Sequence, residues 1–65
     1  MMNEKRVMRM EQIKEWAEEW GLSIKEAVYD LVFDFYETAG FWTDELEKEL
    51  SSKNEAELIE MFCVI

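Results

Sequence analysis

Met10, Ile13, Ala17 and Trp20 follow one another at spacings of three and four residues, the period of one face of a helix. Asn3 stands where a cap belongs and Gly21 where a helix would stop, so the pattern predicts a first helix over about 4–20. Trp16 borders its seam, and Glu11, Glu15, Glu18 and Glu19 lie opposite, partly balanced by Lys14. Ser23 followed by Glu26 is a capping-box pattern, and Gly40 suits the left-handed position that closes a helix. Between them, at about 100° per residue, Ile24, Ala27, Val28, Leu31, Val32, Phe35 and Ala39 fall on one broad arc, the predicted core face. Tyr29, Phe33 and Tyr36 form a second stripe, and Glu26, Asp30, Asp34 and Glu37 a third, turned away from the core. A helix apolar over so much of its circumference is either central in the fold or shared with a partner. Only Leu22 and the cap separate the first two helices, so they should lie as packed neighbours.

Beyond Gly40 the pattern thins. Thr43 precedes Asp44 and Glu45, acids suited to the positive end of a helix dipole, and predicts a third helix over about 44–51 carrying Leu46 and Leu50 inward. Ser51, Ser52, Lys53 and Asn54 mark a break, with Ser52 and Glu55 at capping-box spacing, before a fourth helix over about 53–62 that turns Leu58, Ile59 and Phe62 inward. A continuous helix over 44–62 also keeps a four-residue spacing through Leu46, Leu50, Asn54, Leu58 and Phe62; the broken version is preferred. With no Pro and little period-2 alternation outside residues 5–10, the expected class is all-α, a compact bundle of three or four short helices in one domain spanning 1–65.

Composition sharpens this picture. A chain of 65 residues buries only about 60% of the surface its unfolded form exposes, so it should be marginally stable or form a homo-oligomer such as a dimer. The 49% hydrophobic content and nine aromatic residues nevertheless predict a folded protein despite the net charge of −9. That charge is unevenly placed: residues 1–25 hold five acids and five bases, whereas residues 26–65 hold eleven acids and only Lys48 and Lys53. Such a surface repels nucleic acid and anionic lipid and attracts basic partners; the alternative is a solubilising coat. No apolar run is long enough to span a membrane, and one cysteine allows no internal disulfide, so a cytoplasmic protein is expected, with Cys63 packed as a small apolar residue.

Candidate chemistry is mostly excluded. Without His there is no Ser-His or Cys-His nucleophile pair and no His-bearing zinc site, and a single Cys rules out the remaining zinc and iron–sulfur frameworks. Neither glycine belongs to a phosphate-cradling loop. No cofactor, metal or catalytic residue is therefore assigned, and binding rather than catalysis is expected. The expected partner-binding residues are the carboxylates Glu26, Asp30, Asp34, Glu37, Asp44 and Glu45 with the aromatics Tyr29, Phe33 and Trp42, since Trp and Tyr are frequent interface anchors. Trp20 and Phe41 are expected in the core.

Two resemblances bear on function. Residues 17–36, with Ala17 four before Gly21, Ser23 two after it, Glu26, and apolar Ala27, Val28, Leu31, Val32 and Phe35, resemble the helical part of ribbon-helix-helix proteins. That resemblance implies a dimeric DNA-binding transcriptional regulator or antitoxin, with a strand over residues 5–10 that puts Lys5 and Arg9 on one side. The acidic second helix opposes the phosphate contacts such binding needs. In composition, the small, acidic, cysteine-poor chain resembles phage-encoded inhibitors of the anti-CRISPR and anti-restriction type, which mimic DNA or occupy a nucleic-acid site on a host enzyme. Carboxylates at i and i+4 lie about 6 Å apart along a helix and can present a phosphate-like field to Lys and Arg. This resemblance implies an inhibitor that binds the basic surface of a nucleic-acid-binding protein. Asp44, Glu45, Glu47, Glu49, Glu55, Glu57 and Glu60 are available to extend the row of the second helix.

Overall fold

Where each helix ends is decided by residues that satisfy its free backbone groups. The structure is a computed structural model that describes residues 4–65. Among these residues it consists of four helices and no strand: α1 (Glu4–Trp20), α2 (Ile24–Ala39), α3 (Asp44–Ser52) and α4 (Glu55–Val64). Asn3, the expected cap of α1, lies outside the described residues. Gly21 closes α1 at φ 66°, and the Leu22 amide donates back to the Ala17 carbonyl at 2.9 Å. Gly40 closes α2 the same way at φ 81°, where its own amide reaches Glu37 O and that of Phe41 reaches Tyr36 O. Both are Schellman turns, which need a residue that tolerates positive φ. At the start of α2, Ser23 Oγ accepts from the Glu26 amide at 3.1 Å and Glu26 Oε1 accepts from the Ser23 amide at 3.2 Å, completing the expected capping box.

The break between α3 and α4 is real but sits later than expected. Asn54, not Ser52, caps α4: its Oδ1 accepts from the Glu57 amide at 2.9 Å, and Glu57 Oε1 accepts from the Asn54 amide at 3.0 Å. Ser52 instead belongs to the last turn of α3, where its hydroxyl donates to the Glu49 carbonyl at 2.8 Å. Asn54 and Glu57 have the same S/T/D/N-x-x-E/Q spacing as Ser52 and Glu55, and Asn is at least as good a cap as Ser. Residues 5–10 are helical, so the strand of a ribbon-helix-helix protein does not form there.

The helices α1, α2 and α4 pack on one another pairwise, and α3 connects α2 to α4. The core is wholly apolar: Ile13 and Ala17 from α1, Ala27, Val28, Leu31 and Val32 from α2, Leu50 from α3, and Leu58 and Phe62 from α4. Cys63 is buried beside them as expected, and no polar or charged side chain is buried among the described residues. The outer part of the predicted core is corrected. Phe35 and Ala39 are exposed, because at this end of α2 it is the neighbouring stripe, through Tyr36, that packs against the core. Trp20 is 59% exposed and Phe41 69%. Each stands beside a chain-reversing glycine, and the chain returns to the core soon after, at Leu22 two residues past Trp20 and at Trp42 next to Phe41. No helix is long and apolar enough to cross a membrane.

Leu58→Ala should cost about 2–5 kcal/mol in urea denaturation, and Phe41→Ala should stay within about 0.5 kcal/mol. Asn54→Ala should cost about 1 kcal/mol, whereas Ser52→Ala should be close to neutral; equal losses would place the cap elsewhere.

Candidate functional site

The acidic stripe and the aromatic stripe of α2 meet near the start of the helix. Trp16, half-buried on α1, points its indole Nε1 at Asp30, and Asp30 Oδ2 accepts that hydrogen at 2.8 Å. Trp20, one turn further on, lies against Trp16 with ring centroids 5.8 Å apart and planes tilted by 51°. The exposed Trp20 and the half-buried Leu22 and Tyr29 border an open groove of about 550 Å³, which Lys25, Glu26 and Asp30 complete. Three of the expected partner-binding residues, Glu26, Tyr29 and Asp30, therefore converge on one concavity.

The others lie elsewhere. Asp34 and Glu37 continue along the exposed side of α2, and neither takes part in a hydrogen bond or ion pair among the described residues. Phe33 and Trp42 form their own edge-to-face pair at 4.5 Å, both half-buried, so Trp42 fastens the loop after α2 rather than standing free as an anchor. Asp44 and Glu45 are exposed in the first turn of α3, where Thr43 Oγ1 accepts from the Leu46 amide at 3.1 Å.

Several members of the extended acidic row are already in use. Glu49 pairs with Lys53 at 3.8 Å, Glu57 belongs to the α4 capping box, and Glu60 meets Arg6 at 2.8 Å. The hydrogen bond and charge of Arg6 hold the Glu60 carboxyl below the usual glutamate range, and the guanidinium is shifted upward in turn. Because both groups are exposed, this pair tethers α1 to α4 only weakly. Arg9, next on the same side of α1, lies over the Phe62 ring at 4.6 Å and donates to Gln12 Oε1 at 3.3 Å. Arg6 and Arg9, two of the three basic residues at the start of the chain, thus hold α1 to α4.

Sequence reasoning missed Trp20, Leu22 and Lys25 as groove residues and Trp16 as the partner of Asp30. The signal was available in part: Trp16 and Trp20 are one turn apart, and Trp20 is the last residue of its helix, where the seam has no neighbour left to pack on. The pairing of Trp16 with Asp30 joins residues 14 apart and depends on how α1 crosses α2. Chemically, the groove offers aromatic faces and two carboxylates but neither a nucleophile with its base nor a set of metal ligands; among the described residues no three Cys, Asp or Glu side chains are grouped to hold an ion. Comparison of the chain with protein-family models, with curated proteins and with solved structures gives no match.

Asp30→Ala should shift the Trp16 indole N–H resonance and cost about 0.5–1.5 kcal/mol, whereas Asp34→Ala should do neither. An unmoved Trp16 resonance would show that the hydrogen bond does not form in solution.

Proposed function

We propose that the protein is an acidic interaction module, a phage-type inhibitor that occupies the basic nucleic-acid-binding surface of a target such as a CRISPR or restriction effector. The observation that carries this reading is the exposed carboxylate row of α2, in which Asp34 and Glu37 stand without an intramolecular partner among the described residues beside the groove bordered by Glu26, Asp30 and Tyr29. A field of one sign speeds encounter with a basic surface, and the neighbouring aromatics supply the desolvated contacts that charge alone does not. Asp44 and Glu45 at the start of α3 add to the same field. No catalytic step is part of the proposal, and its setting is the cytoplasm. A DNA-binding regulator draws less support, because residues 5–10 are helical and Arg6 and Arg9 contact α4.

The test is affinity capture from bacterial lysate with tagged protein, with and without nuclease. A nucleic-acid-binding protein should be recovered, in greater amount once nucleic acid is digested. Asp34→Asn combined with Glu37→Gln should weaken that complex about five- to thirtyfold, the effect of one or two kcal/mol. Recovery of DNA alone, or tighter binding by the double variant, would defeat the proposal.

A further inference from the structure

We infer that the groove between the end of α1 and the start of α2 receives a single arginine side chain of a basic partner protein. The inference rests on the inhibitor reading for the identity of the partner, but its chemistry is that of the groove itself. The concavity of about 550 Å³ is open to solvent and has room for a side chain presented from a partner's surface. Its apolar border is made by Trp20 and Tyr29, aromatic residues whose ring faces attract cations, together with Leu22. Its polar border is made by Glu26, Asp30 and Lys25, which leaves the lining net negative.

Both carboxylates are oriented before any ligand arrives. Glu26 Oε1 accepts from the Ser23 amide, and Asp30 Oδ2 accepts from the Trp16 indole. Each has a second oxygen that makes no hydrogen bond among the described residues and remains an acceptor. The same Asp30 bond fixes Trp16, on which Trp20 lies at 5.8 Å, so the exposed ring that borders the groove is supported from behind. Acceptors and a ring held in this way lose little freedom on binding.

Guanidinium is the cation that uses both kinds of border. It is planar, stacks on aromatic faces, is more weakly hydrated than an ammonium, and offers several N–H donors in a fixed fork to carboxylates. A lysine ammonium could satisfy the carboxylates but would gain less from the indole and phenol rings. Charge complementarity thus commits the groove to a cation, and the aromatic border favours arginine and separates the groove from the bare acidic row further along α2.

The probe is the peptide acetyl-Gly-Arg-Gly-amide, titrated into the full chain and followed by the indole N–H resonances of the three tryptophans. Saturable shifts are expected at Trp20 and Trp16, with Trp42 unmoved and a dissociation constant on the order of 1 mM. The lysine peptide should bind several-fold more weakly, and the neutral isostere with citrulline at least about tenfold more weakly. Trp20→Ala, at an exposed position, should weaken the arginine peptide about tenfold while leaving the backbone amide resonances away from the groove in place. Asp34→Asn combined with Glu37→Gln should leave peptide affinity within about twofold of the parent. No saturable shift, equal binding of the citrulline peptide, or shifts confined to residues outside the groove would overturn the inference. Partner capture that succeeds while the titration fails would defeat the groove and leave the acidic row as the binding face. A titration that succeeds while no basic protein is captured would defeat the inhibitor reading alone.

Discussion

The fold depends on four adjacent positions on α2: Ala27, Val28, Leu31 and Val32, the only residues of that helix that are fully covered. They occupy little more than one and a half turns, and α1 and α4 both pack on α2 while also packing on each other. In so short a chain every helix has to reach the same small patch, and the two alanines of the cluster, Ala17 and Ala27, are small enough to let helices approach closely. What does not fit over the patch is left outside, and that accounts for much of the surface. The bulky residues near its edges, Trp20, Phe35 and Phe41, are exposed although their positions are not polar in pattern, while Leu22, Tyr36 and Trp42 beside them pack on the core.

This constraint also explains which parts of the fold could be read in the chain. Helix ends were legible because their causes are local: Ser23 and Glu26 satisfy each other's backbone, and Gly21 and Gly40 supply the positive φ their turns need. The α3–α4 junction was placed too early only because Ser52 and Asn54 stand at competing cap positions. Both have suitable acids three residues on, and in the structure Ser52 is taken up by the last turn of α3 through Glu49 O, which leaves the cap to Asn54. Burial was less legible. Periodicity places Phe35 at the centre of the core arc of α2, yet periodicity is a property of one helix and says nothing of which side its neighbours cover, and at this end they cover the side of Tyr36. The site followed the same rule. Tyr29, Glu26 and Asp30 were visible as stripes on one helix, whereas the contribution of α1 required the crossing that brings Trp16 to Asp30.

Charge in this protein is divided by function within the fold. Arg6 and Arg9 bridge α1 to α4, Arg6 weakly through Glu60 and Arg9 over Phe62, while Lys53 answers Glu49. Other acids complete capping boxes, Glu26 with Ser23 for α2 and Glu57 with Asn54 for α4, where a carboxylate near the positive helix end is favourable in its own right. An excess of negative charge on a small protein disfavours the compact state through self-repulsion. The acids that cap or pair offset that cost in part. Asp34 and Glu37 do not, and they crowd one side of α2 with like charges within a turn of each other, an arrangement that is unfavourable for an isolated helix.

The contrast between Asp30 and Asp34 shows where structure and binding meet. They are one turn apart on the same helix, both exposed and of the same chemical type. Asp30 is joined to α1 through the Trp16 indole, so its position is set by the packing of two helices and transmits that packing to the groove through Trp20. Asp34 has no such tie among the described residues, and its carboxylate can follow any cation that approaches. A partner with a rigid basic surface would gain most from the first kind of residue, whose orientation is already fixed, and would be drawn in by the second, whose field extends without geometric demand. On the proposed reading, a held carboxylate beside aromatic rings would select a cation by shape, and the unpaired carboxylates further along the helix would attract it by charge.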